Sequence, residues 1–445
     1  MLRRLLLLLR PADLVERSLT VSTITAALAT GVFYTVSALY FTRVVGLAVT
    51  TVGLGLTVAG AVGVVVSFAG GYAADRVGAD RLQLWANAVQ GLALLAYVWA
   101  GSTVTFVVVA CVAVGARSLQ RTAQATLQAR WFAGPGRVAV RARLRVVTNV
   151  FIGLGTVLAG AALLADTATA YRLAMVAVGL SAALASVPLA GLRGRVPGFA
   201  AAMDAHLVHD RVAGPSPLRD RTYLGTVALT SVLAMQFGIQ TVGVPLWVAT
   251  RTDAPKVVIS VLLVLNTVFV ALFQVRAARG TDDVAVAGRT VRRGSLLLAG
   301  ACVLFGATGS VGALLAVCGL VVAGLLASGA EVWCEAGAWG LAFELADPAS
   351  AGRYQGLYST GYALAAMVAP ALVTATAVDH GMAGWALLAG VFVLAGLAVA
   401  ALSRQVTPKC CPDTRSGALS RHSTRTAPAP ALASPASISS SRSTQ

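Results

Sequence analysis

The chain of 445 residues is 57% hydrophobic and only 11% charged, with a mean hydropathy of +0.80. This composition excludes an ordinary soluble domain. It suits a chain that crosses a bilayer core about 30 Å thick with helices of roughly 20 apolar residues. The net charge of +17 does not indicate nucleic-acid binding, because the basic residues are spread over the segments between apolar stretches.

Hydropathy divides the chain into twelve predicted transmembrane helices, six on each side of a long polar segment. The first six are predicted at 18–41, 51–73, 82–100, 103–126, 146–165 and 171–192, and the last six at 223–247, 256–275, 294–309, 312–336, 354–377 and 382–402. The predicted organisation is a cytoplasmic amphipathic leader (1–17), an N-terminal six-helix half (18–192), a cytoplasmic central loop (193–222), a C-terminal six-helix half (223–402) and a disordered cytoplasmic tail (403–445).

The basic residues assign the two faces of the predicted bundle. With the N-terminus inside, 28 of the 34 Lys and Arg residues fall in the inner segments and 4 in the outer loops. This is the asymmetry that the positive-inside rule describes. We therefore expect a multi-pass protein of the inner or plasma membrane, with both termini in the cytoplasm.

A short motif lies between the second and third predicted helices. It contains Gly71, Asp75, Arg76 and Gly78 in the pattern Gly-x-x-x-Asp-Arg-x-Gly, and Arg81 follows. With the six-plus-six helices and the long middle loop, this motif resembles the major facilitator superfamily over about residues 12–402. The segments 37–43 and 52–56 are also similar to actinobacterial drug- and metabolite-exporter-type members.

The resemblance implies an all-α fold of twelve transmembrane helices in two six-helix halves. It also implies that Asp75 contacts the N-terminus of helix eleven, where backbone N–H groups favour a carboxylate. That contact would latch the halves on the cytoplasmic side, and the motif's glycines would permit a tight turn. The two basic residues usual after Gly78 are Ala79 and Asp80 in this chain, which weakens the basic half of the motif.

Helices five and eleven carry further parts of the resemblance. The family's antiporter motif on helix five usually ends in Gly-Pro. Here Gly155 and Gly160 fit close helix packing, but the proline is missing. Helix eleven carries Pro370 at the equivalent place. The resemblance therefore favours export over import only in part.

Two pairs of charged residues lie within predicted spans, where ionisable groups are costly and indicate function. Arg117 and Arg121 share one face of helix four, and Glu331 and Glu335 share one face of helix ten. In the fold that the resemblance implies, both helices line the central cavity. Glu331 is expected about 12 Å to the cytoplasmic side of the middle of its helix, at 1.5 Å per residue.

Three interpretations of these charges stay open. Glu331 is a proton-coupling carboxylate, or the two pairs form a salt bridge between the halves that closes an inner gate. In the third interpretation the residues are interfacial, and the arginines reach lipid headgroups.

Uncharged polar residues give a weaker indication of a substrate site. Tyr34, Gln236, Gln240 and Asn266 lie in the middle of predicted spans, where such residues also serve as hydrogen bonds between helices. The cavity is expected to be largely apolar, with few fixed charges. That expectation favours a lipophilic or amphiphilic substrate.

The sequence contains no Walker-type phosphate-binding motif and no zinc-protease or Cys-x-x-Cys pattern, so no enzyme activity, cofactor or metal is predicted. We predict a secondary active transporter that exports a hydrophobic drug or secondary metabolite by alternating access, with protons as the coupling ion. The alternatives are an importer of a small neutral solute and a non-transporting membrane sensor or scaffold. The expected partners are the lipid bilayer, a small-molecule substrate and protons, without nucleic acid, and the expected form is a monomer.

Overall fold

The computed structural model describes residues 13–209 and 216–406, and these ranges are helical without any β-strand. Twelve long helices follow one another in the order that hydropathy predicts. They are α1 (Leu14–Leu39), α2 (Val49–Val77), α3 (Ala79–Ala96), α4 (Thr103–Trp131), α5 (Pro135–Ala165), α6 (Ala168–Leu184), α7 (Arg221–Arg251), α8 (Val257–Ala277), α9 (Val284–Ala307), α10 (Ala313–Glu344), α11 (Ala351–Val373) and α12 (Met382–Gln405). The all-α fold class is therefore confirmed.

Eleven of the described helices are long and apolar enough to cross a membrane. The remaining one, α3, has 18 residues and carries Asp80 and Arg81 in its first turn. It occupies the place of the predicted third span. Of the predicted leader, residues 13–17 belong to the start of α1, whose N-cap is Asp13. The rest of the leader and the tail beyond 406 lie outside the described residues.

Three helices, α5, α9 and α10, extend well beyond their predicted bounds, and α9 begins at Val284 instead of 294. Helix α5 begins at Pro135 instead of 146, and α10 continues to Glu344 instead of 336. The predicted bounds were placed at clusters of charged residues, because a lone charge is costly inside a membrane. In α5 and α10 these charges face partners within the bundle, so the helices continue through them, whereas Arg289 and Arg293 in the first turns of α9 are exposed.

The turn between α2 and α3 is a single residue. Gly78 has φ +97°, a backbone conformation that favours glycine, and helices lie directly on both sides of it. The motif from Gly71 to Arg76 is therefore helical, and the expectation that Gly71 forms part of a tight turn is wrong. Gly71 instead lies where α2 crosses α11. A Cβ there would meet the carbonyl oxygen of Gly352 at 2.5 Å and the Cα of Gly356 at 2.9 Å.

The cores of the two halves differ in position from the core that joins them. The N-terminal half packs Tyr40, Phe41, Tyr97 and Phe106 together near the α1–α2 and α3–α4 turns. The C-terminal half has its own hydrophobic cluster, in which Trp247 and Phe305 pack against Trp385. A third cluster contains residues of α5, α7, α10 and α11, and it joins the halves at the other end of the bundle. We call that end, which holds the α2–α3, α4–α5 and α10–α11 turns, the α2–α3 end.

The segment between the halves is partly helical. It contains a short helix, Phe199–His209, in the range that was predicted as a long loop. Arg193 anchors this segment, because its guanidinium binds Asp80 at 2.7 and 3.0 Å and Asp204 at 2.7 and 2.9 Å. Asp80 therefore has its basic partner on the connecting segment instead of next to it in the motif.

Candidate functional site

A cavity of about 240 Å³ lies between the two halves. It is lined by α1 to α5 from the N-terminal half and by α10 and α11 from the C-terminal half. Three of the residues predicted from the sequence line it directly, namely Arg117, Arg121 and Glu335. Ion-pair and hydrogen-bond contacts between the halves in the described residues begin beside this cavity and continue to the α2–α3 end.

Glu331 is the most deeply buried carboxylate beside the cavity, with 1% of the residue exposed. Its Oε1 accepts a hydrogen bond of 2.8 Å from Arg145 of α5, which makes an ion pair between the halves. Its Oε2 accepts hydrogen bonds from Gln240 of α7 at 3.2 Å and Asn266 of α8 at 2.9 Å. Asn266 also lies 3.3 Å from the hydroxyl of Ser328. Four helices thus meet at one carboxylate.

The depth predicted for Glu331 is wrong. Because α10 continues to Glu344, Glu331 lies about 4 Å from the middle of the helix at 1.5 Å per residue, not about 12 Å. Such a central and buried position does not fit the interpretation of this residue as an interfacial one. A carboxylate at this depth is tolerated only with paired charges and hydrogen bonds, and Glu331 has both.

Helix α5 supplies a row of arginines that the predicted helix bounds concealed. Arg137, Arg141 and Arg145 are spaced by four, so they share one helix face. Arg137 lies 3.6 Å from Glu344, and Arg145 pairs with Glu331. Arg141 lies over three aromatic rings, at 5.2 Å from Trp339, 5.4 Å from Phe343 and 5.5 Å from Tyr358. The fourfold spacing was visible in the sequence and was the signal that could have identified this row.

The arginines of α4 do not pair with the carboxylates of α10. Arg117 lies 5.4 Å from the ring of Tyr34, which is 59% exposed. Arg121 is exposed within the cavity. The salt bridge expected between the Arg117–Arg121 pair and the Glu331–Glu335 pair is therefore absent from the described contacts, and Arg145 takes that place.

The cavity is more polar than expected. Arg117, Arg121, Arg141 and Arg145 line it together with Glu335 and several Gln, Ser and Thr side chains. The expectation of a largely apolar cavity with few fixed charges is wrong. The physical reason is that α5 begins eleven residues earlier than predicted, which brings Arg141 and Arg145 from a supposed loop into the bundle.

The other predicted substrate contacts divide into two groups. Gln240 and Asn266 bind Glu331, so they lie at the carboxylate instead of lining the cavity. Gln236 is 1% exposed, and its side-chain amide has no hydrogen-bond partner among the described atoms. The ring of Tyr34 lies against the guanidinium group of Arg117.

Asp75 connects the end of α2 to the start of α11. Its carboxylate accepts hydrogen bonds from the backbone N–H groups of Gly352 at 2.8 Å and Arg353 at 2.9 Å. Arg130 of α4 pairs with the same carboxylate at 2.6 Å and donates to the carbonyl of Met203 at 3.0 Å. The contact that the resemblance implied is present, and sequence reasoning missed the arginine that accompanies it.

The remaining motif and packing residues are placed as follows. Arg76 and Arg81 are exposed, and no hydrogen bond or ion pair of theirs is found in the described ranges. A Cβ on Gly155 would collide with the Leu28 carbonyl oxygen where α5 crosses α1, whereas one on Gly160 would meet nothing within 4 Å. The close packing predicted for Gly160 is therefore wrong.

Pro370 lies inside α11, just before a π-helical turn over Thr374–Val378. Within the described residues, no group of three or more His, Cys, Asp or Glu side chains has the geometry of a metal site.

These observations define a class of protein: a polytopic membrane protein whose two six-helix halves enclose a polar cavity, as secondary transporters do. The sequence model of the Major Facilitator Superfamily matches residues 19–370. The chain therefore belongs to that superfamily and is a membrane transporter, not an enzyme. No curated protein sequence matches the chain.

Solved structures show the same fold. The human organic anion transporter MFSD10 (TETRAN) is similar with a TM-score of 0.64 and 17% identity, over 88% of this chain and 100% of that one. The proton:xylose symporter XylE is similar with a TM-score of 0.64 and 16% identity, over 86% of this chain and 94% of that one. A bacterial homologue of the iron transporter ferroportin, in an outward-facing state, is similar with a TM-score of 0.67 and 14% identity, over 87% of this chain and 98% of that one. At 14–17% identity, these similarities to the three solved structures concern the fold.

Proposed function

We propose that the protein is a proton-coupled secondary active transporter that works by alternating access, with Glu331 as the carboxylate that takes up the proton. The observation that carries this proposal is the ion pair between the half-buried Arg145 and the buried carboxylate of Glu331, which joins the two halves. A group that changes charge at such a place changes the attraction between the halves. This couples the occupancy of a proton to the equilibrium between two conformations.

The ionised pair supports the conformation in which the halves meet at the α2–α3 end. That end is cytoplasmic in the orientation that the basic residues predict, so this is the state closed toward the cytoplasm. Removing one partner of a buried ion pair costs about 3–5 kcal/mol. Protonation of Glu331 removes its charge, weakens the bond from Arg145 and favours separation of the halves at that end. The Asp75 contact to α11 acts in the same direction as the ion pair.

The direction of transport depends on how the proton and the substrate affect each other. Export of a hydrophobic drug or secondary metabolite, as the resemblance implies, requires that they exclude one another. A neutral or cationic substrate that takes the proton's place at Glu331 meets this condition. Import requires that they bind together. The release of Arg145 when Glu331 is protonated favours this second mode for a substrate with negative charge.

The structural relatives do not select a cargo. Their names refer to organic anions, xylose and iron, so one fold serves three unrelated substrates. The proposal further takes the protein to be a monomer in the inner or plasma membrane, with cytoplasmic termini.

The coupling can be tested without a known substrate by measuring the distance between the halves as a function of pH. Gly101 and Gly312 lie at the end opposite the α2–α3 end, one in each half, and a Cβ on either meets nothing within 4 Å. Spin labels on cysteines at these two positions, in a background without the six native cysteines, form what we call the outer-end reporter. Double electron–electron resonance on the purified protein gives the distance.

We expect the long distance at high pH and a growing short-distance population as the pH falls. The groups that face Glu331 are Arg145 of α5, Gln240 of α7, Asn266 of α8, Ser328 and Glu335 of α10, and Tyr362 of α11. Glu331→Gln should give the short distance at every pH. Asp253→Asn, an exposed residue after α7, serves as the matched control and should behave as the unmodified chain. A Glu331→Gln variant that keeps the full pH response would exclude this carboxylate as the coupling group.

A further inference from the structure

The cavity between the halves has more cations than anions. Its lining contains four guanidinium groups and one carboxylate, and Glu331 adds a second carboxylate through its bond to Arg145. If every group is ionised, the balance is about two positive charges in a space that the bundle shields from bulk water. The surplus remains when the Glu331–Arg145 pair is counted as neutral.

The arginines that make up this surplus are not paired elsewhere. In the ranges that the structure describes, no ion pair is found for Arg117, Arg121 or Arg141. Arg117 and Arg141 lie against aromatic rings, which offer a weaker attraction than a carboxylate does. One terminal nitrogen of Arg141, Nη1, is buried without a hydrogen-bond partner. A guanidinium group is buried at high cost unless an acceptor satisfies it.

The arrangement suits an acidic group better than any other ligand chemistry. A guanidinium group offers donors in a planar fork that matches a carboxylate with two parallel hydrogen bonds. Arg117 and Arg121 lie one turn apart on α4, so one anionic group can reach both of them. Sugars and other neutral solutes would leave the surplus charge uncompensated.

The rest of the cavity indicates the body of the ligand. Trp339, Tyr358 and Tyr362 contribute aromatic surface to the wall on the side of the C-terminal half. The volume of about 240 Å³ is below the roughly 300–1,000 Å³ that accommodate drug-sized molecules. The cavity therefore fits a small molecule with an aromatic or otherwise flat apolar body.

From this geometry we infer that the cavity binds a small aromatic carboxylate, with its acidic group held by Arg117 and Arg121 and its ring against the aromatic wall. The inference rests on the proposed function only in calling this anion the transported substrate. Arg145 becomes a further donor to the anion once Glu331 has lost its charge. The proton and the anion thus support each other's binding, and both move in the same direction across the membrane.

The test is a binding measurement by isothermal titration calorimetry on the purified full-length protein in detergent, without any gradient. The probes are matched pairs that differ only in charge: benzoate and benzamide, and indole-3-acetate and indole-3-acetamide. We expect at least one of the carboxylates to bind and its amide to bind at least about ten-fold more weakly. Equal binding of acids and amides, or no binding of either carboxylate, would overturn the inference.

Variants then locate the site. Arg121→Gln and Arg117→Gln should each weaken carboxylate binding about ten- to hundred-fold, since each removes a charged hydrogen-bond donor. Arg121→Lys keeps the charge but not the fork and should lie between them and the unmodified chain. Arg251→Gln, an exposed residue at the far end of α7, is the control and should change nothing. Unaltered affinity in both α4 variants, with their unfolding temperatures unchanged, would place the anion elsewhere.

The two proposals fail separately. Carboxylate-selective binding that needs Arg121 but leaves the outer-end reporter unmoved at all pH values would keep the anion site and reject the transport cycle built on Glu331. A normal pH response of the reporter without any preference for carboxylates would keep the coupling and reject the anion.

Discussion

The contact between Asp75 and the start of α11 makes a quantitative prediction for Asp75→Asn. Two hydrogen bonds cross between the halves there, from the N–H groups of Gly352 and Arg353, while the bond from Arg130 stays within the N-terminal half. A hydrogen bond to a charged group contributes about 1.5–3 kcal/mol. The asparagine oxygen can still accept one crossing bond, but its NH₂ group faces a donor where the second bond was.

The expected loss is therefore about one charged hydrogen bond, plus about 0.3–1 kcal/mol from the helix dipole at the N-terminus of α11. A total of about 2–4 kcal/mol corresponds to a shift of about 30- to 700-fold in the ratio of the two conformations, at 1.4 kcal/mol for each factor of ten. The outer-end reporter measures this ratio directly as the short-distance population divided by the long-distance one.

Asp80→Asn provides the matched control. It removes the same charge from the same turn of the chain, but Asp80 binds Arg193 of the connecting segment, and the described residues show no hydrogen bond or ion pair from it to the C-terminal half. The reporter should change little in this variant. If Asp75→Asn shifts the ratio no more than Asp80→Asn does, the crossing hydrogen bonds do not hold the halves together and the reasoning fails.

Three further predictions concern packing and the connecting segment. Gly71→Leu forces α2 away from α11 and should move the outer-end reporter toward the short distance. Its control is Gly53→Leu, where an added Cβ meets nothing within 4 Å and the reporter should stay in place. The same response from both variants would contradict the crossing assigned to α2 and α11. Gly155→Leu should lower the midpoint of thermal unfolding, because overpacking costs about 1–3 kcal/mol, and Gly160→Leu should not. Equal midpoints would show that α1 and α5 do not depend on this close approach. Arg193→Gln removes the cation between two carboxylates and should speed tryptic cleavage of the connecting segment, a prediction that fails if the cleavage rate is unchanged.

The order of the helices could be predicted from the sequence because membrane helices appear as long apolar runs. The beginning of α5 could not, because its first eleven residues contain Arg137, Arg141, Arg143 and Arg145, which hydropathy excludes from a span. Arg137 and Arg145 each pair with a carboxylate of α10, and Arg141 lies over aromatic rings of α10 and α11. Arg143 pairs with Glu16 of α1 at 2.5 Å. Hydropathy assigns a cost to each charge separately, whereas the fold compensates these charges in pairs.

The site was predicted in part for the same reason. Glu331 could be singled out because a carboxylate within an apolar run is conspicuous, and Asp75 because its motif resembles that of a family. Their partners could not be found in this way. Arg145 lies 186 residues from Glu331 along the chain, and Arg193 lies 113 residues from Asp80. Only the spacing of four along α5 pointed to a functional face, and the apolar-run criterion placed those arginines in a loop.

The most direct test of the account is the number of protons that the purified protein takes up or releases when its ligand binds. The carboxylate that binds most tightly in the panel is added to the protein in weakly buffered solution with a pH indicator. Because linkage is reciprocal, the account predicts an uptake of up to about one proton per chain at a pH where Glu331 is mostly ionised. It also predicts that this uptake disappears in Glu331→Gln. Release of protons, or the same uptake in both proteins, would contradict the claim that the proton at Glu331 and the substrate bind together.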